Sequence, residues 1–467
     1  MLFSSIPFLY YFLPAVLLLY LAVPKKGKNA VLFLSSLFFY AWGEPRYVLV
    51  MLLDILLAYV LGLGIEKTSG APAAKGYLIV SLGCSLAFLL FFKYTNFFID
   101  NVRAFTGLPI PFLSLSLPIG ISFYTFQIIS YTVDVYRRKV PAQKNLLHFA
   151  TYVSLFPQLV AGPIVRYTDV ALELSHRSHS FEQIALGCRR FLLGLGKKVL
   201  IANLLGEFCN LFRLSQAPSV LYYWLYAAAF TLHIYFDFSG YSDMAIGLGH
   251  LFGFHFPENF QYPYISKSIT EFWRRWHISL GSWFRDYVYI PLGGSRAGKG
   301  KLIRNLFIVW ALTGFWHGAA WNFVFWGLGF AVLLFLEKLF FLKHLEKLPS
   351  PISHIYVLFF VVLSFVLFHA DSLSQALSDF QCMLGLGNLP LSTPETLYYC
   401  KSYAVLFCIG IIGATPLPAK SIERLSHMAW GKRILPWIEA PVLLILLLAV
   451  TAYLVDGSFN PFLYFRF

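Results

Sequence analysis

Apolar stretches long enough to bear on a lipid bilayer recur along the whole chain, at 6–23, 29–42, 47–65, 76–98, 114–133, 146–161, 219–238, 302–315, 316–341, 354–370, 401–418 and 438–455. A helix needs about 20 apolar residues to cross the hydrocarbon core, and somewhat fewer where neighbouring helices cover it. Only 12% of the residues are charged and 58% are hydrophobic, against roughly 25% charged in a globular domain. A water-soluble enzyme is excluded. The expectation is an all-α polytopic membrane protein, one integral-membrane domain over residues 1–467 with about 10–12 transmembrane helices. The first stretch, Ile6 to Val23, has neither a basic region before it nor a small-residue cleavage site after it, so it reads as a retained span.

Several stretches are broken by Pro and Gly, around Pro118-Ile119-Gly120, Phe156-Pro157-Gln158 and Ala161-Gly162-Pro163. Such segments are expected to be re-entrant and to line a cavity inside the protein. The net charge of +14 is gathered in short clusters between apolar runs, such as Lys25 to Lys28, Arg137 to Lys139 and Lys432-Arg433. That is the signature of cytoplasmic loops, not of nucleic-acid binding. It places both termini outside and makes the number of crossings even. In the segment Gly187 to Leu200, Arg189, Arg190, Lys197 and Lys198 return to one helical face opposite Phe191, Leu192, Leu195 and Val199, which predicts a helix lying on the cytoplasmic surface as a lipid-headgroup anchor. The six cysteines include no CxxC pair, so neither a zinc site nor a disulfide framework is expected.

Chemistry is concentrated between residues 233 and 326. Asp237 and Asp243, Glu258-Asn259, and Glu271 followed by Arg274-Arg275-Trp276-His277 crowd into an aromatic-rich region. Ionisable groups are costly at membrane depth and mark functional sites there, but most of these charges read as a network of structural ion pairs, with Glu271 spaced to meet Arg274 or Arg275. His317 stands apart in Trp310 to Asn322, a stretch with no charge. On a continuous helix Trp310, Gly314, His317 and Trp321 share a face, which predicts an imidazole between two indoles with room for substrate beside the glycine. A buried, neutral imidazole is what a general base requires. No GxSxG, P-loop or HExxH pattern provides a competing nucleophile, phosphate or zinc site.

The run Glu271-Phe272-Trp273-Arg274-Arg275-Trp276-His277, followed by Trp316-His317-Gly318, resembles the membrane-bound O-acyltransferase family, and within it the bacterial alginate O-acetyltransferase subfamily. Further matching stretches are Phe39 to Pro45, Pro118 to Gln127, Leu155 to Pro163, Asp237 to Asp243 and Ile290 to Gly294. The resemblance implies a ring of helices around a thinned centre, a cytosolic funnel for the acyl donor and a central tunnel, in a bacterial cytoplasmic membrane. It implies His317 as catalytic base and His277 as the residue that orients the donor or polarises its carbonyl, with Trp310, Gly314, Trp316, Trp321, Asn322, Asp237, Asn259, Arg274 and Arg275 lining or supporting the tunnel. Acetyl-CoA would be a substrate, with no bound cofactor or metal, and an extracellular acetyltransferase would pass the acetyl group to a polysaccharide.

The tail 459–467, Phe-Asn-Pro-Phe-Leu-Tyr-Phe-Arg-Phe, resembles the carboxyl-terminal motif of the small partner chain in teichoic acid D-alanylation. That resemblance makes Tyr464 a transient acetyl acceptor, where composition alone gives an interfacial aromatic anchor. Transfer of D-alanyl or another acyl group is the alternative within the fold, and a membrane transporter is the alternative outside it, though the sequence has no internal repeat.

Overall fold

The computed structural model describes residues 1–295, 298–457, 459–460 and 463. Helices account for 77% of the chain, and no strand occurs among the described residues. Among the described residues five helices are long and apolar enough to cross a membrane: Val48–Lys67, Pro72–Thr106, Trp321–Leu345, Ser350–His369 and Ala429–Asp456. A sixth span forms if the pair Pro394–Ser402 and Ala404–Gly413, bent by 52°, counts as one. This is fewer than the apolar stretches read from the sequence, because the others fall in helices that are shorter, interrupted or more polar. The 146–161 stretch stops at Ser154, and 114–133 becomes helical only from Ile121.

The chain divides into two compact units, Met1–Phe191 with Met244–Pro257, and Leu192–Asp243 with Glu258–Phe467. In the first, Pro72 opens the longest helix, where its missing N–H is no loss, and Gly107 closes it at φ 71°. The broken segment predicted around Pro157 is a buried single turn, Phe156–Leu159, set off from the preceding helix by the non-helical backbone of Leu155. Irregular backbone at such depth must find its partners within the protein. Ser36 Oγ accepts the Phe156 N–H at 3.0 Å, Gln158 Nε2 donates to the Tyr152 carbonyl at 2.6 Å, and Tyr152 donates its hydroxyl to the Val165 carbonyl at 3.1 Å. Gly120 (φ 76°) packs on this turn so closely that a Cβ there would lie 2.3 Å from the Leu159 carbonyl oxygen.

In the second unit an aromatic core is built on Trp273, whose ring lies 4.6 Å from Trp310, 5.7 Å from Trp326 and 4.8 Å from Phe330. The Ala429–Asp456 helix turns Val442, Leu444, Ile445 and Leu448 outward, an apolar surface suited to lipid. The segment expected to lie wholly on the membrane surface departs from that reading at its end. Phe191, Leu195 and Val199 are buried as expected, but the helix changes to a π turn over Lys197–Ala202. A π turn adds a residue to the local repeat and rotates the side chains beyond it. Lys198 is thereby only 1% exposed and forms a buried ion pair with Asp237, Nζ to Oδ1 2.5 Å, while Lys197 pairs with Asp243 at 2.6 Å.

Candidate active site

Two short helices, Ile269–Arg275 and Ile278–Phe284, meet at Trp276 and His277. The first starts where it does because its exposed N–H groups are taken up. Ser268 Oγ accepts from Glu271 N–H at 3.0 Å, and the buried carboxylate of Glu337 accepts from the backbone of Ile269 at 2.6 Å and of Thr270 at 2.9 Å. Arg275 is bound to Glu271 at 2.9 Å in the predicted i,i+4 pair, so it supports this helix and does not line the site. Arg274 faces a cavity of about 510 Å³, together with His277, Arg285 and Lys338. Arg285 is itself paired with Asp286 at 2.7 Å.

His277 sits at φ 46°, a left-handed conformation uncommon for a residue with a side chain. Asn259 holds it. The Asn259 Oδ1 accepts from Ser279 N–H at 3.3 Å and Ser279 Oγ–H at 2.9 Å, which identifies this atom as the oxygen, and it lies 3.0 Å from His277 Nδ1. The amide end, Nδ2, donates to Ser242 Oγ at 3.1 Å. An oxygen cannot donate, so Nδ1 of His277 carries the proton. Burial, with a smaller contribution from His317, holds the His277 pKa well below the ordinary histidine range. The ring is therefore neutral, and Nε2, which is buried with no hydrogen bond among the described residues, is an acceptor. An Nε2 in this state can accept a hydrogen bond but cannot polarise a carbonyl, which needs a donor there.

His317 is the last residue of the helix Lys299–His317 and is buried. Its ring is enclosed edge-to-face by Trp316 at 5.0 Å, Trp326 at 5.1 Å and Phe368 at 5.4 Å. Trp316 also lies 6.2 Å from His277, so one indole touches both imidazoles. The space beside His317 is about 20 Å³, room for about one water molecule. Asp237, Trp326, Phe368 and Leu463 share its wall. The N–H of Leu463 donates to Asp237 Oδ2 at 3.2 Å. Tyr464 lies outside the described residues.

Two expectations about this site change. The helix ends at His317, so Trp321 opens the next helix, is half exposed and meets Phe325 at 6.1 Å and a tilt of 41° instead of sharing a face with His317. Gly314 leaves no room for substrate: a Cβ there would lie 2.3 Å from the Phe323 carbonyl oxygen, and one on Gly327 would lie 2.2 Å from that of Trp310. The two glycines bring the helices Lys299–His317 and Trp321–Leu336 into backbone contact, which sets His317 against Trp326. Asn322 is also structural, donating to the Ala370 carbonyl at 2.9 Å. Trp310 lines the larger cavity.

The sequence reading missed Trp326, Phe368 and Leu463. Nothing in a run such as Trp321-Asn322-Phe323-Val324-Phe325-Trp326 distinguishes the indole that meets His317 from the one that faces outward. Trp326 and Trp273 each hold a buried Nε1–H with no acceptor among the described residues. Among the described residues no three His, Cys, Asp or Glu side chains are placed to hold a metal ion.

Comparison with known proteins places the chain in a family. The sequence profile of the family described as MBOAT, membrane-bound O-acyltransferase family, matches residues 80–380. A protein named probable alginate O-acetylase from Pseudomonas putida is 39% identical, with 100% of each chain covered. A peptidoglycan O-acetyltransferase of Helicobacter pylori is 31% identical, covering 100% of this chain and 98% of the relative. A teichoic acid D-alanyltransferase of Bacillus subtilis is 31% identical over 50% of this chain and 62% of its own. The chain belongs to the membrane-bound O-acyltransferase family, in its bacterial alginate O-acetyltransferase-like subfamily, and is a multi-pass membrane O-acyltransferase.

Proposed function

We propose that this enzyme takes acetyl from acetyl-CoA on the cytosolic side of the bacterial cytoplasmic membrane and delivers it outward for O-acetylation of a cell-surface or exported polysaccharide. The observation that carries this reading is the enclosure of His317 by aromatic rings, with Trp316 linking it to His277 and to a larger cavity lined by Arg274, Arg285 and Lys338. Those cations suit the phosphates of a CoA thioester. The names of the alginate and peptidoglycan relatives support a polysaccharide as the final acceptor.

In the proposed reaction His317 takes the proton of an acceptor hydroxyl as its oxygen attacks the thioester carbonyl carbon. The tetrahedral oxyanion collapses, the C–S bond breaks, and the departing sulfur receives the proton from His317. Such a base contributes on the order of 10²–10⁴-fold. Trp326 Nε1–H is the donor for the oxyanion, and Nε2 of His277 positions the donor by accepting a hydrogen bond from it. The acceptor hydroxyl is that of Tyr464, with both termini outside, and an extracellular acetyltransferase takes the acetyl from the resulting aryl ester to a sugar. Leu463, which precedes Tyr464 and shares the wall of the His317 chamber, supports this placement of the tail.

D-alanyl transfer is the second reading, favoured by the teichoic acid relatives, which cover about half of this chain. Purified enzyme offered radiolabelled acetyl-CoA or a D-alanyl thioester separates the two. Acetyl transfer lost in His317→Ala, with the protein folded, is the expected result. Transfer that survives this change would overturn the role of His317.

A further inference from the structure

In the first unit, three segments distant in sequence converge on a second cavity of about 740 Å³. Lys25, Lys26 and Lys28 come from the connection between the first two apolar helices, Asn145 and His148 from the start of another helix, and His176, Arg177 and His179 from the loop after Ser175. Among the described residues no carboxylate lines it. Glu173, the acid that acts on Arg177, is engaged by His255, whose N–H and Nδ1 lie 3.0 and 2.5 Å from its two oxygens.

Topological lysines need only be exposed, whereas this cluster is built. The Arg177 guanidinium lies over the rings of Phe254 at 4.8 Å and Tyr20 at 5.8 Å, and donates to Asn29 Oδ1 and to the Tyr20 hydroxyl. Asn29 is fixed in turn by donating to the Leu174 carbonyl at 2.8 Å. Tyr20 gives its single proton to the Phe252 carbonyl at 2.8 Å, so His179 Nε2, 3.0 Å away, donates to the phenol oxygen. Lys28 Nζ lies 4.4 Å above the Tyr20 ring. Burial, then the neighbouring cations, hold Lys28 and His179 below their ordinary pKa values, the expected cost of gathering like charges.

We infer that this cavity is a binding site for a phosphate-bearing anion, separate from the acyl-transfer site and independent of the reading given to that site. A fixed guanidinium with lysines gathered around it is the chemistry that recognises phosphate oxygens. The site stands where two apolar helices end, so the phosphate can come from an anionic lipid headgroup or from a soluble molecule.

The full chain, purified in detergent, distinguishes the sources. Native mass spectrometry reads co-purified phosphatidylglycerol or cardiolipin, and calorimetry reads pyrophosphate binding. Retained lipid that is lost in Lys25→Gln/Lys26→Gln/Lys28→Gln identifies a headgroup. Pyrophosphate binding weakened at least tenfold in the same variant, with no retained lipid, identifies a soluble anion. Footprinting of Lys25, Lys26 and Lys28 on the unaltered protein needs no variant: protection from an amine reagent by either probe is expected. Neither probe bound, or both bound equally by wild type and variant without protection of these lysines, would overturn the assignment.

Discussion

One oxygen of Asn259 faces His277 Nδ1 at 3.0 Å while also receiving the backbone N–H and the hydroxyl of Ser279. With three contacts on an atom that only accepts, the imidazole is held as the Nδ1–H tautomer, and its unshared pair at Nε2 is directed away from Asn259. The strained backbone of His277 and the identity of Asn259 thus serve one end, a neutral acceptor in a cavity that also holds Arg274.

Asn259→Asp keeps the shape but places a carboxylate against Nδ1. The native His277 pKa is depressed, so the ring stays neutral through pH 6–8. The carboxylate favours the imidazolium and raises that pKa, so Nε2 becomes protonated and ceases to accept as pH falls through the new value. The acid limb of kcat/KM should move to higher pH in the variant, with a loss on the order of 10-fold near pH 6.5. A profile superimposable on the wild type would show that His277 does not need to be neutral.

Trp326→Phe removes the Nε1–H and retains an aromatic ring against His317. If that N–H receives the developing oxyanion, kcat should fall by about 10- to 100-fold, below the loss for a fully preorganised oxyanion donor, with KM nearly unchanged. Steady-state kinetics on acetyl transfer check this. A rise in KM alone would instead make Trp326 a binding wall.

How far the site was legible in the sequence depends on what each feature encodes. His317 stood out because it is an imidazole in an uncharged aromatic run, and Glu271 with Arg275 was visible as helix spacing. Trp321 and Gly314 misled for one reason: a periodicity argument assumes the helix continues, and Gly318 ends it. The Lys198–Asp237 pair was hidden because a π turn has no compositional mark. The apolar stretches identified a membrane protein at once. They outnumber the helices that are by themselves long and apolar enough to cross, since buried broken segments are as apolar as continuous helices.

Gly314→Ala should destabilise the protein, because its Cβ would meet the Phe323 carbonyl at 2.3 Å and force the two helices apart. The cost should be about 1–3 kcal/mol. Gly329→Ala, on the second of those helices, meets nothing within 4 Å and should leave stability unchanged or slightly higher. Thermal denaturation in detergent compares the two.

Lys198→Met leaves the Asp237 charge buried without its counter-ion. A loss of about 3–5 kcal/mol is expected, as for other broken buried pairs. Lys198→Met with Asp237→Asn removes both charges and keeps an acceptor for the Leu463 N–H, so it should recover much of the loss. A double variant no more stable than Lys198→Met would show that the pair contributes through packing and not through charge.

Tyr464→Phe tests the relay most directly, since it keeps the ring and removes only the hydroxyl that would carry acetyl. Leu463 beside it is buried in the His317 chamber, with its N–H on Asp237, so the substitution leaves that anchor intact. Polysaccharide acetylation, read by mass spectrometry of cell-surface glycans, should then fall to the level of His317→Ala. Labelled acetyl on the purified wild-type chain should be sensitive to mild base, as an aryl ester is, and absent from both variants. If Tyr464→Phe still acetylates the polymer at the wild-type rate, the hydroxyl that meets the thioester belongs to another molecule, and the tail serves only as an aromatic anchor.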